Sequence, residues 1–209
     1  MRSVFFRSIV ASLVICVLAV LGAFRAHARA NDFREGDVIF HSSLSSQARA
    51  IELATHSRYS HCGIIFKLGK EFYVYEAAGS VRYAPLKKWI ARAQGGHYAL
   101  RRLKKADEIL TPKALSRLRV EAKKFEGKPY DLAFGWSDER IYCSELIYKV
   151  YHQALGLEVG KIRRLGDFDL RHPIVKGKLL ERYGKAIPLD EPVVSPQDVF
   201  ESGLFVSVE

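Results

Sequence analysis

The chain has 209 residues, 48% hydrophobic and 27% charged, the balance of a folded globular protein and not of a disordered or fibrous one. Its 33 Lys and Arg against 23 Asp and Glu give a formal charge of +10. Arg2, Arg7, Arg25 and Arg29 lie in the first 30 residues, which hold no acid, so the rest carries 29 against 23, or +6, too general an excess to point to nucleic acid.

Residues 1–30 read as a secretory signal. Arg2 and Arg7 make the positive start, and Ile9 to Phe24 run 16 residues without a charge. Ala26-His27-Ala28 and Ala28-Arg29-Ala30 both offer small-x-small cleavage patterns. The apolar run is short of the ~20 residues a spanning helix needs, so cleavage is expected rather than an uncleaved anchor. Cys16 does not follow a small residue at the end of the apolar run, which argues against a lipidated start. The expectation is a signal at 1–30 and one domain at 31–209, exported to the periplasm or cell envelope, with no stable membrane span after cleavage. Two cysteines remain, Cys62 and Cys143. An oxidising compartment would allow them to pair, but a domain of this size does not need the bridge. Neither CxxC nor HExxH occurs, so a zinc site has no sequence support, and the thiol chemistry expected below needs no metal or organic cofactor.

Gly36-Asp37-Val38-Ile39-Phe40 reads as a turn entering a short strand. Ser45 to Thr55 has apolar residues at helical spacing, with Ser42 and Ser43 as candidate caps. His61–Phe66 and Glu71–Glu76 are strand-like runs of β-branched and aromatic residues around Gly69. A further strand is expected over His97–Leu103, with Arg101 and Arg102 on its outer face. Thr111-Pro112 starts a helix carrying Leu115, Leu118, Ala122 and Phe125 and stopping at Gly127. Pro129-Tyr130-Asp131 breaks the chain. Cys143 to Leu155 is the clearest helix, lined by Leu146, Ile147, Val150, Ala154 and Leu155 and ended by Gly156. A helix over Pro173–Tyr183 and another start at Ser195-Pro196 follow. The sum is one α+β domain without repeats or linkers.

Cys143 stands at the start of that strong helix, where free N–H groups and the positive end of the dipole favour a thiolate and could stabilise an oxyanion. A thiolate needs a base that can later protonate the leaving group, usually histidine. The competing reading is a small buried hydrophobe. With the hairpin turn centred between Leu68 and Gly69, His61 faces Glu76 directly; a two-residue shift leaves them diagonal and within reach. Alternation puts His61, Gly63 and Ile65 on one face and Cys62, Ile64 and Phe66 on the other, so Cys62 is expected only to pack. A carboxylate there would orient the imidazole, though a surface ion pair is the alternative. His41 and His56 could line a groove; His97, His152 and His172 read as surface or packing residues. Tyr59, Ser60, Tyr130 and Tyr142 flank the site and are candidate polar walls or oxyanion donors.

With those residues placed, the chain resembles the YiiX/YebB/YaeF-like group of the NlpC/P60 superfamily, papain-like cysteine hydrolases with a circularly permuted sequence. The resemblance rests on Gly36-Asp37-Val38-Ile39-Phe40, Tyr59-Ser60-His61-Cys62-Gly63-Ile64, Tyr75-Glu76-Ala77, Gly127-Lys128-Pro129-Tyr130-Asp131 and Tyr142-Cys143-Ser144-Glu145-Leu146, in that order. It implies Cys143 as nucleophile, His61 as general base and acid, and Glu76 as orienting group. It also implies a small antiparallel sheet or barrel packed on the cysteine helix.

The function expected is therefore an exported thiol hydrolase of amidase or peptidase type. It would cleave an amide or peptide bond through an acyl-enzyme, with murein-derived peptides the first substrate class. The alternatives are an acyl hydrolase or acyltransferase on lipids, like lecithin:retinol acyltransferase, and a non-catalytic envelope-binding domain. Nucleic acid is not expected as a partner.

Overall fold

Short runs of β-branched and aromatic residues, separated by glycine turns, dictate strands in the first half of the chain, and 3.6-residue periodicity dictates helices in the second. The computed structural model describes residues 32–208, so the expected signal at 1–30 lies outside the described residues. In chain order the first half holds β1 (Val38–His41), α1 (Ser46–Thr55), β2 (His61–Leu68), β3 (Glu71–Ala78), β4 (Ser80–Pro85), α2 (Leu86–Ala91) and β5 (Ala99–Leu103). The second half holds α3 (Ala106–Ile109), α4 (Pro112–Lys123), α5 (Cys143–Leu155), β6 (Arg163–Arg164), α6 (Pro173–Tyr183), β7 (Pro192–Val193), α7 (Pro196–Phe200) and β8 (Phe205–Val208).

Six strands form one antiparallel sheet in the order β4-β3-β2-β1-β5-β8, and β6 pairs with β7 apart from it. The β2–β3 hairpin pairs Leu68 with Glu71 and Ile64 with Tyr75. Its turn is therefore Gly69-Lys70, with Gly69 at φ +62, and the register lies two residues from the one expected. Glycine, free of a Cβ, accepts that dihedral without strain, which fixes the turn there. His61 pairs instead across β1 with His41, and Phe40 with Cys62. Gly63 is required by close approach: a Cβ there would lie 2.3 Å from Val74 Cγ1 and 2.9 Å from the Tyr75 carbonyl oxygen.

Helix α5 lays Leu146, Ile147, Val150 and Ala154 on the sheet face formed by Cys62, Ile64, Phe66 and Tyr75. Helix α4 adds Leu118, Ala122 and Phe125 beside it. Each large apolar side chain buried there contributes about 1.5–3 kcal/mol, enough to fix where α5 begins. Thr111 caps α4 through Ala114 N at 3.3 Å, Pro occupies its first turn, and Gly156 ends α5 in the left-handed region at φ 70. Arg34–Val208 form one unit, and no helix of the described residues is long and apolar enough to cross a membrane.

Some local expectations are corrected. The cap of α1 is Ser45, whose hydroxyl accepts from Ala48 N at 3.0 Å, not Ser42 or Ser43. Successive residues on a strand face opposite ways. Arg102 accordingly turns inward to the buried Asp37, with Nε and a second guanidinium nitrogen each 2.8 Å from its carboxylate, while Arg101 bonds Ser207. The strands β4 and β8 complete the sheet on either edge and were not anticipated.

Candidate active site

Cys143 is the first residue of α5 and is buried. Tyr142 before it is extended, at φ −102 and ψ 168, and donates its N–H to Glu145 Oε2 at 3.3 Å. The first helical turn thus points its free amides past the sulfur. Two side chains from the start of β2 act on the ionisation of that sulfur: the thiol of Cys62 and the imidazole of His61. The hydrogen bond from Cys62 is the largest influence holding Cys143 well below the usual thiol range. Burial opposes it, and the charge and hydrogen bond of His61 add to it. Cys62 moves the other way: burial raises it, and so does its bond to a charged neighbour.

The imidazole is held from behind. His61 Nε2 lies 2.7 Å from Glu76 Oε2, diagonal across the hairpin as the shifted register requires. A carboxylate on Nε2 puts a proton there and leaves Nδ1 to serve the sulfur. Glu76 is fully buried; Trp89 Nε1 donates to Oε2 at 2.8 Å, and Arg92 donates to Oε1 at 2.7 Å. Burial would raise the acid, but the bonds from His61 and Arg92 hold it at about 2. For His61 burial alone would depress the imidazole, but the Cys143 charge, then hydrogen bonds to Cys143 and Glu76, raise it to about 9. Together these shifts favour a thiolate on Cys143, a protonated His61 and an ionised Glu76.

The other expected residues divide. Ser60 is buried beside His61 in the cleft, its Oγ 3.2 Å from that of Ser42. Tyr130 faces the sulfur, and its hydroxyl accepts from Gln47 Nε2 at 3.0 Å, leaving its own O–H to donate. Tyr142 also lines the site, but its hydroxyl oxygen accepts the Val194 N–H at 3.1 Å. Tyr59 is not in the site: its ring packs on Phe200 at 4.5 Å between centroids, and on Phe40 at 5.9 Å. Of the other histidines, His41 enters the cleft edge-on to His61 and Trp89. Its Nδ1 meets the Ser42 carbonyl, its buried Nε2 has no hydrogen-bond partner among the described residues, and burial followed by the charge of His61 lowers it to about 4. His56 pairs with Asp169 instead, His152 stacks on Tyr148, and His172 caps α6.

Trp89, Arg92 and the effect of Cys62 on the Cys143 thiol were missed. The one available signal was Trp89 in an otherwise basic segment, since a buried indole N–H needs an acceptor. Alternation along the strand separates Cys62 from His61 and points it to packing. It does pack in the core under α5, the helix that Cys143 begins.

Two spaces adjoin the site, one lined by Cys143 and the other by His61. On one side Cys143, Phe134, Leu165, Leu179 and Val194 line an almost wholly apolar cavity of about 80 Å³, open to solvent, with Lys178 and Arg182 also on its wall. On the other side His61, His41, Ser60, Ser45 and Arg92 line a polar cleft. Gln47, Ile51 and Tyr130 border both.

The family described as permuted papain-like amidase enzyme, YaeF/YiiX, C92 family, matches residues 32–208. The uncharacterized protein YiiX of Escherichia coli (strain K12) is 50% identical over 173 residues, 83% of this chain and 84% of that protein. A crystal structure described as metalloprotein yiiX from Escherichia coli O157:H7 has a TM-score of 0.81 at 50% identity, covering 84% of this chain and 96% of that one. Among the described residues no group of three or more His, Cys, Asp and Glu side chains is arranged to hold a metal ion. The chain belongs to the permuted papain-like amidase family of YaeF and YiiX and has the permuted papain-like fold.

Proposed function

We propose that the protein is an exported cysteine hydrolase that cleaves amide bonds through an acyl-enzyme on Cys143. The observation that carries the reading is the imidazole of His61 held 2.7 Å from the buried carboxylate of Glu76, supported by the lowering of Cys143, at the start of α5, by the charge of that imidazole. Cys143 thiolate attacks the carbonyl, and the charge on oxygen is met by the backbone N–H at the helix start and by the Tyr130 hydroxyl. His61 gives its Nδ1 proton to the departing amine, then takes one from the water that releases the acid. Glu76 keeps the imidazole in the tautomer and orientation both steps need.

The two spaces support one orientation of the substrate. The acid must stand by the leaving group, so the amine occupies the polar cleft that His61 lines and the acyl group remains beside the sulfur in the apolar cavity. This favours an apolar acyl chain on a polar amine. It brings the lipid reading, hydrolysis or transfer of acyl chains, level with that of murein-derived peptides, whose polar groups would leave the cavity wall unmatched. The test is a screen of muropeptides, N-acyl amides of increasing chain length and phospholipids against wild type and Cys143→Ala. Thiol-dependent release of an amine supports the reading; no turnover of any amide, or equal turnover by the variant, overturns it.

A further inference from the structure

We propose that Ser60 is a specificity-determining residue of the polar cleft, a hydrogen-bond acceptor for the N–H of the scissile amide, and that Glu52 positions it by acting through Ser42. Resting on the hydrolase reading, which puts the leaving amine in that cleft, this assignment makes the site select amides over esters. A hydroxyl has one hydrogen to give and two lone pairs. Ser42 Oγ gives its hydrogen to the Glu52 carboxylate and also reaches the Ser43 carbonyl at 3.5 Å. Neither of those oxygens has a hydrogen to return. In the 3.2 Å contact between Ser42 Oγ and Ser60 Oγ the donor is therefore Ser60. With its only hydrogen committed, the buried Ser60 hydroxyl can meet a ligand in the cleft with lone pairs alone.

His41 has the same polarity. It lines the same cleft, and its carbonyl accepts the Ser60 backbone N–H at 3.2 Å. The Ser42 carbonyl can only accept, so its 3.1 Å contact with His41 Nδ1 puts the hydrogen of the neutral ring there. Nε2 is then a bare lone pair, buried and with no hydrogen-bond partner among the described residues. Burial and the charge of His61 keep this ring neutral. Neither Ser60 nor His41 thus brings a side-chain hydrogen to the cleft, and a ligand there meets acceptors. An amide nitrogen carries a hydrogen to give them and an ester oxygen does not, so the ester sets lone pair against lone pair on a buried group. Glu52 is built to fix the direction of the chain. One of its oxygens takes the Ser42 hydrogen and the other pairs with Arg49 at 3.3 Å. It acts on the cleft only through the two hydroxyls.

The experiment is titration calorimetry on the full-length Cys143→Ala protein, which cannot form an acyl-enzyme. The probes are the hexanoyl amide of ethanolamine and the hexanoyl ester of ethylene glycol, a pair that differs only in N–H against O. The parent is expected to bind the amide about tenfold more tightly than the ester. Ser60→Ala in the same background, with no acceptor, should bring the two within about twofold. Glu52→Gln should narrow the ratio as well. A glutamine that keeps its oxygen on Arg49 turns an N–H to Ser42 and reverses the chain, so that Ser60 shows its hydrogen to the ligand. A merely structural effect of either change would weaken both probes alike and leave the ratio where it was. If Ser60→Ala does not fold, Glu52→Gln, at the far end of the chain from the cleft, carries the test. Equal affinity of the parent for amide and ester, a ratio that neither variant changes, or no binding of either probe overturns the proposal. Binding is read without turnover, so its failure is distinguishable from that of the hydrolase reading, which thiol-dependent release of an amine decides.

Discussion

Replacing Glu76 with glutamine probes the buried end of the site without changing its shape. The carboxylate accepts from three donors, His61 and Trp89 on Oε2 and Arg92 on Oε1, with no exposure to water. A glutamine can offer its one oxygen to His61 and Trp89, but its NH₂ then faces the Arg92 guanidinium donor to donor. Depression of the acid from 4.5 to about 2 corresponds to roughly 3 kcal/mol of native stability. That agrees with about 3–5 kcal/mol for breaking a buried charge pair by removing one partner. The sign follows from the depressed folded value: this stability is complete above pH 4.5 and is lost as pH falls through about 2. Urea unfolding of wild type and Glu76→Gln from neutral to acid pH is the assay. The variant should be about 3 kcal/mol less stable at neutral pH. The gap should narrow as the wild-type acid protonates. A difference under about 0.5 kcal/mol, constant with pH, would refute the ion-paired carboxylate, since that is the scale of an ordinary surface substitution.

Four further outcomes follow from the same geometry. Hydrolysis should rise with pH through the lowered Cys143 value, stay level, and fall as His61 loses its proton near 9; a pH–rate profile with no upper limb would contradict the imidazolium. By the same linkage, the stability from His61 is complete below 6.5 and lost as pH rises through about 9, which alkaline urea titrations of wild type and His61→Ala can read. Gly63→Ala should cost about 1–3 kcal/mol in urea midpoints, because its methyl meets Val74 and the Tyr75 carbonyl; a neutral effect would mean that β2 and β3 can separate without penalty. Ala50→Phe, growing from α1 into the apolar cavity, should lower kcat/KM for long-chain N-acyl amides at least about tenfold while sparing N-acetyl amides; equal loss on both would remove the acyl chain from that cavity.

Sequence reading succeeded where the determining forces are local. Thr111-Pro112 and Gly156 carry their own start and stop chemistry, and α5 runs over the residues its periodicity implies. The His61–Glu76 pair survives a register error of two because residues two apart share a face. What stayed hidden depends on tertiary placement. Ser80–Pro85 and Phe205–Val208 are short and lack a strong pattern, and they become strands only because edges of the sheet await them. Trp89 and Arg92 reach Glu76 because α2 folds back under the hairpin, and no spacing in the chain encodes that return. The influence of Cys62 on Cys143 depends likewise on where α5 begins above the sheet.

The central claim is a thiolate on Cys143 held by a charged His61. It is tested most directly by following alkylation of that one residue by iodoacetamide against pH, read by peptide mass spectrometry, in wild type and His61→Ala. The account predicts rapid modification of wild-type Cys143 well into acid, below the ordinary thiol range, and a shift of the profile to alkaline pH in the variant. A wild-type profile that rises only where a free thiol ionises, unchanged by loss of the imidazole, would contradict it.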